Sequence, residues 1–179
     1  MVSLRSLVAG AVIFAAPVLA ALSPLQITSG LRQLALKSTN LNPAAQRIHG
    51  FNAGLMIIGQ GPISELIKGI NDINSTATTL NKQLEGMSPI QAPVEADQFV
   101  NAQLVLLSTL TSKAVAIGKN QFVDKPVAAA LRGEKIPIMS IALKLPILVQ
   151  SRAAAIQPVN DALIDTLDRC IAVYEGVGA

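Results

Sequence analysis

The chain has 179 residues, room for one domain and hardly two. Its 14 Lys and Arg are interleaved with 11 Asp and Glu and form no basic run, which excludes the clustered cationic face that nucleic acid or an anionic membrane surface requires. Hydrophobic residues make up 51% and mean hydropathy is +0.49, yet Trp is absent, Tyr occurs once and Phe four times, so a core must be built from Ala, Val, Leu and Ile.

Residues 1–20 read as a secretory signal peptide. Arg5 supplies the positive charge, Leu7 to Ala16 the apolar run, Pro17 the break, and Val18-Leu19-Ala20 the tolerated residues at the cleavage positions. The run is too short for a membrane span, which needs about 20 residues. The expected organisation is therefore a signal peptide at 1–20 and one helical-bundle domain at 21–179, secreted and extracellular. Cys170 is the only cysteine, so no intrachain disulfide supports that domain. A domain of about 160 residues can bury ~70% of its unfolded surface, which makes a core-only fold feasible.

Apolar residues then recur at helical spacing to the end. Ile27, Leu31 and Leu34 open the pattern, and Ala45, Ile48, Phe51 and Leu55 continue it. Asn42-Pro43 between them is a favoured cap followed by a favoured first-turn residue, consistent with two helices or one kinked one. Gly61 to Gly86 is the clearest helix: Ile63, Leu66, Ile70, Ile73, Ala77, Leu80 and Leu84 share one face, with Asn71, Ser75, Thr78, Lys82 and Glu85 opposite, and Gly86 as the stop. Ser88 to Pro93 reads as a loop. Val94 to Phe122 is the next helix, and its centre, Leu104-Val105-Leu106-Leu107, is apolar all round, as a fully buried helix would be. Pro126 opens a further stretch to about Leu143, broken or bent at Pro137. Pro146 starts the last helix, whose stripe is Ile156, Leu163, Leu167, Cys170, Ile171 and Tyr174 and whose stop is Gly176. The fold class expected is all-α: an up-down antiparallel bundle of about five long helices with an apolar central cavity.

The side chains needed for catalysis do not assemble. His49 is the only histidine and has no neighbouring acid, so it suits neither a nucleophile-base pair nor a metal site. Cys170 lies on an apolar stripe, where a thiol behaves as a small hydrophobe. Asp161, Asp165 and Asp168, spaced by four and three, form a solvated acidic face with Arg169 beside it. Gly59-Gln60-Gly61 lacks the strand and third glycine of a phosphate cradle. No enzyme, cofactor or metal is expected. Asn74-Ser75-Thr76 is an N-glycosylation sequon.

The apolar material remains as the functional signal. An interface poor in large aromatics fills space less readily, and ~10 methylenes of an acyl chain in a slot at ~0.8 kcal/mol each would gain about 8 kcal/mol, on the order of micromolar binding. The residues placed on such a cavity are Phe51, Leu55, Ile63, Leu66 and Ile70 from the first half of the chain. From the second half come Leu104, Leu107, Leu163 and Leu167, with Ser108 and Thr111 as hydroxyl anchors.

In order along the chain, the sequence resembles the fungal hydrophobic surface binding protein A family, related to the lipid-binding domains of cell wall galactomannoproteins. The resemblance rests on Leu31-Arg32-Gln33-Leu34, Ser38-Thr39-Asn40-Leu41 and Phe51-Asn52 in the first helix, and on Gly61 to Leu84 as the second. It continues with Val94-Glu95-Ala96-Asp97 and Lys119-Asn120-Gln121-Phe122 bounding the third, and with Pro158 to Ile171-Ala172-Val173-Tyr174 as the last. Pro43, Pro137 and Pro146 depart from the family pattern. The resemblance implies a secreted, cell-wall-associated protein that holds a fatty acid or other lipid, or adsorbs to hydrophobic solids and helps recruit lipolytic enzymes. A monomer without nucleic-acid partner or transmembrane segment is expected.

Overall fold

A computed structural model describes residues 23–48, 60–85, 87–90, 101–106, 108–109 and 121–176. All regular structure among the described residues is helical: α1 (Pro24–Gln46), α2 (Gly61–Leu84), α3 (helical at 101–106 and 108–109), α4 (Gln121–Leu148) and α5 (Ala153–Glu175), with a 3₁₀ turn at Gln150–Arg152. The signal peptide at 1–20, His49 and the Gly86 stop lie outside the described residues.

Helix α1 begins at a capping box that the spacing analysis did not single out. The Gln26 amide donates to Ser23 Oγ at 3.3 Å, and the Ser23 amide donates to Gln26 Oε1 at 2.8 Å. The helix runs unbroken through Pro43 and ends at Gln46, so no helix boundary falls at Asn42-Pro43; Phe51 and Leu55, where the stripe was expected to continue, lie outside the described residues. Asn42 is an interior residue there, not a cap, and its buried Oδ1 has no hydrogen-bond partner among the described residues. Helix α2 starts at Gly61, whose φ of +84° admits glycine easily, with Pro62 in the first turn. All seven of its expected core residues, Ile63 through Leu84, are buried.

The second half departs from expectation at its borders. Gln121 and Phe122 are continuous with α4, which passes through Pro126, Pro137 and Pro146 without a break, and residues 110–120 before them lie outside the described residues. The last helix accordingly starts at Ala153 rather than Pro146, and contains Pro158. A proline inside a helix removes the hydrogen bond to the carbonyl four residues earlier. At Pro146 that carbonyl belongs to Ala142, and the buried Asn160 of α5 donates its Nδ2 to it at 2.7 Å. Packing thus supplies the donor that the local chain lacks. At the end of α4, the Leu148 carbonyl accepts from the Ile90 amide at 2.5 Å. Helix α5 stops at Gly176, in the left-handed region at φ +72° as expected.

In α3, the expectation of burial on every side is corrected. Gln103 and Leu106 are buried, Leu104 is half-buried, and Val105 is 54% exposed. The described part of this helix is covered on one side only, where Gln103 meets Ser38 of α1.

Cross-helix contacts fix the directions. Helices α1 and α2 are antiparallel, through Lys37–Asp72 at 2.6 Å and Arg47–Glu65 at 2.7 Å. So are α4 and α5, through Ala142–Asn160, Lys135–Asp168 and Arg132–Glu175. Helices α2 and α4 run side by side in the same sense, through Asn81–Ser140 at 2.8 Å and Glu85–Lys144 at 3.5 Å. Small residues allow the α1–α2 approach: a Cβ on Gly69 would fall 2.1 Å from Leu41 Cδ2. The inward faces form one aliphatic core. Among the described residues no single helix is long and apolar enough to cross a membrane.

Candidate functional site

Ile63, Leu66 and Ile70 of α2 and Leu163 and Leu167 of α5 are buried in the same hydrophobic core, and Leu104 of α3 packs partly buried against it. Phe51, Leu55, Leu107 and Thr111 lie outside the described residues. Ser108 is exposed, so the structure does not bring this expected hydroxyl anchor to the interior with the others. Asn74 of the sequon is half-buried. Its Oδ1 accepts from the Thr78 hydroxyl at 3.4 Å, and its Nδ2 lies 3.3 Å from where a Cβ on Gly133 would sit, so its amide faces α4. Cys170 is a core thiol. Asp161, Asp165 and Asp168 are exposed, engaged with Gln157, Arg169 and Lys135 respectively. Among the described residues no three His, Cys, Asp or Glu come together as a metal site would require.

The feature that the apolar-stripe analysis missed is a buried polar layer. Glu134 lies on α4 and is 1% exposed. Neither of its carboxyl oxygens has a hydrogen-bond partner among the described residues. Gln103 of α3 is also buried. Its Nε2 donates to Ser38 Oγ, which in turn donates to the Leu34 carbonyl at 2.9 Å, but its Oε1 is left without a partner among the described residues.

Helix register places these groups at one level of the bundle. Ser38 adjoins Lys37, which pairs with Asp72 of α2. Asn74, half a turn on, faces Gly133 of α4, the neighbour of Glu134. Lys135, on the other side of Glu134, pairs with Asp168 of α5. Gln103 joins the level through Ser38.

The electrostatic consequence follows from burial. An ionised carboxylate in this aliphatic setting would lose its hydration without gaining a partner, so burial pushes the Glu134 carboxyl up to about 8. Glu134 is therefore mostly protonated at neutral pH, able to donate one hydrogen bond and accept others. The sequence did carry a signal. Glu134 sits in the stripe Val127, Leu131, Ile138, Ile141 and Leu145 of α4, and Ser38 occupies the equivalent place between Leu34 and Leu41 of α1. A polar residue at a core position of an otherwise apolar stripe is the legible mark.

The outer surface has an apolar feature of its own. Ile136, Leu143 and Ile147 are 75%, 61% and 63% exposed and, spaced by seven and four residues, lie along one side of α4.

Fold and site together define an all-α bundle whose aliphatic interior holds buried polar atoms without partners among the described residues, on Asn42, Gln103, Glu134 and Asn160. No family profile, curated protein or solved structure matches the chain.

Proposed function

We propose that the protein is a secreted, non-enzymatic lipid binder that takes an amphiphile between its helices. The observation that carries this reading is the set of unpartnered polar atoms of Glu134 and Gln103 inside an otherwise aliphatic core. Leaving buried polar groups unpaired costs about 1–3 kcal/mol each, so a fold that keeps them favours any molecule that brings the missing partners along with an apolar tail. Ile63, Leu66, Ile70, Leu104, Leu163 and Leu167 supply the aliphatic surroundings. Catalysis is not part of the proposal, since the sequence holds a single histidine, His49, with no acid beside it. The resemblance to the fungal hydrophobic surface binding protein A family supports the same reading and the extracellular, cell-wall-associated location. Native mass spectrometry of the protein purified from its secreting cells is expected to show a bound acyl species. A homogeneous mass equal to that of the polypeptide, with no uptake of added lipid, would overturn the reading.

A second reading is favoured by the exposed Ile136, Leu143 and Ile147. Such a stripe can adsorb to a hydrophobic solid, the other role that the family resemblance implies, including recruitment of lipolytic enzymes. It predicts depletion of the protein from solution by hydrophobic beads beyond that of a control globulin. The two readings use different surfaces and do not exclude each other.

A further inference from the structure

We propose that the fold closes the Asn74-Ser75-Thr76 sequon: a glycan on Asn74 and the packing of α2 on α4 exclude each other. The folded protein then carries Asn74 unmodified and uses its side chain as a helix-packing group.

Asn74 stands on the seam between α2 and α4. These helices run in the same sense and in register. Asn74 faces Gly133, and one heptad further along both chains Asn81 Oδ1 accepts from the Ser140 hydroxyl at 2.8 Å. Glu85 then pairs with Lys144 at 3.5 Å. Both ends of the Asn74 amide are engaged there. Its Oδ1 accepts from the Thr78 hydroxyl at 3.4 Å, and its Nδ2 lies 3.3 Å from the place a Cβ on Gly133 would take. The absence of a side chain at Gly133 is what admits the amide. An N-linked sugar is bonded through that same nitrogen and is far bulkier than a Cβ. Its ring would claim the space of the Gly133 backbone. A glycan is held only if Asn74 swings out of the seam or α2 parts from α4, and either change gives up the contact.

The hydroxyl of the sequon is withdrawn as well. Transfer of a glycan needs the asparagine amide and the hydroxyl two residues on to reach one catalytic centre together. Residues two apart on a helix do not share a face. Thr76 Oγ1 instead donates to the Asp72 carbonyl at 2.9 Å. The motif is readable only in a chain whose α2 has not formed, and a sugar added at that stage stands in the way of α4. Glycosylation here would hold back unpacked chains and leave no mark on folded ones.

The full chain produced in a glycosylating secretory host tests this in two ways. Intact mass spectrometry of the folded, secreted protein is expected to give the bare polypeptide mass, unchanged by peptide N-glycosidase. A glycan on Asn74 in that material overturns the proposal. The second measurement does not depend on the host's transferase. Asn74→Cys and Asn40→Cys, each combined with Cys170→Ala, are treated with an N-acetylglucosaminyl methanethiosulfonate. The reagent forms a mixed disulfide with the thiol and releases methanesulfinic acid. Asn40 is exposed on α1 and provides the control. In the folded state the thiol at position 74 is expected to react about tenfold more slowly than the one at position 40. Labelled in urea and refolded, the Asn74→Cys adduct should unfold at a clearly lower urea concentration than the same variant without the sugar. The Asn40→Cys adduct should unfold where its unlabelled form does. Equal labelling rates overturn the proposal even where the secreted mass is bare, and so does an Asn74→Cys adduct as stable as its unlabelled form.

Discussion

Glu134 makes stability depend on pH in a definite direction. In the unfolded chain its carboxyl titrates near the ordinary value of 4.5, whereas in the fold it is pushed up to about 8. The folded state therefore binds the proton more tightly, so this group's contribution is fully present below about pH 4.5, declines as pH rises and levels off above about 8. Urea unfolding between pH 5 and 8.5 should show stability falling by several kcal/mol, and Glu134→Gln should flatten that slope. A wild-type slope of zero would show that the carboxyl is not buried as described. Asn160 tests a further buried polar contact. Asn160→Ala frees the Ala142 carbonyl and is expected to cost about 1–3 kcal/mol. In a Pro146→Ala background the restored amide can take that carbonyl, so the same substitution should cost less. A double-mutant cycle measured by urea unfolding reads the coupling directly.

At the level of elements, the close approach of α1 and α2 depends on Gly69. Alanine there gains about 1 kcal/mol of helix propensity, but its Cβ would fall within 2.1 to 2.9 Å of both methyls and the branch carbon of Leu41. The whole leucine must move, so Gly69→Ala is expected to destabilise by about 1–3 kcal/mol, with much of the loss recovered by adding Leu41→Ala; thermal unfolding of the three variants decides it. Helices α1, α2 and α5 show how far pattern alone reaches. Their apolar stripes are buried position by position, and Gly176 ends α5 where its freedom at positive φ suggests. Helix α4 shows where it stops. Pro137 and Pro146 read locally as breaks, yet the helix continues through both, and at Pro146 Asn160 on another helix supplies the donor for the orphaned carbonyl. No spacing rule within residues 121–148 contains that fact.

For the molecule as a whole, the exposed stripe on α4 separates adsorption from folding. Replacing Ile136, Leu143 and Ile147 together with Ser should leave thermal stability within about 1 kcal/mol, since exposed positions contribute little to the core, and should sharply reduce binding to hydrophobic beads. Undiminished adsorption would retire the second reading of function. The sequence by itself determined the all-helical class, the aliphatic character of the core and most of the residues facing it, because helical periodicity is local and burial of apolar side chains follows from it. The site residues were legible only as core: Ile63, Leu66, Ile70, Leu163 and Leu167 announce burial without saying what they surround. Tertiary structure alone decided that α4 is continuous through its prolines, that Val105 faces outward, and that Gln103 meets Ser38 in the interior. Those outcomes depend on which helix lies beside which and in what register, and that is settled by contacts between residues up to 65 positions apart, beyond the reach of any local pattern.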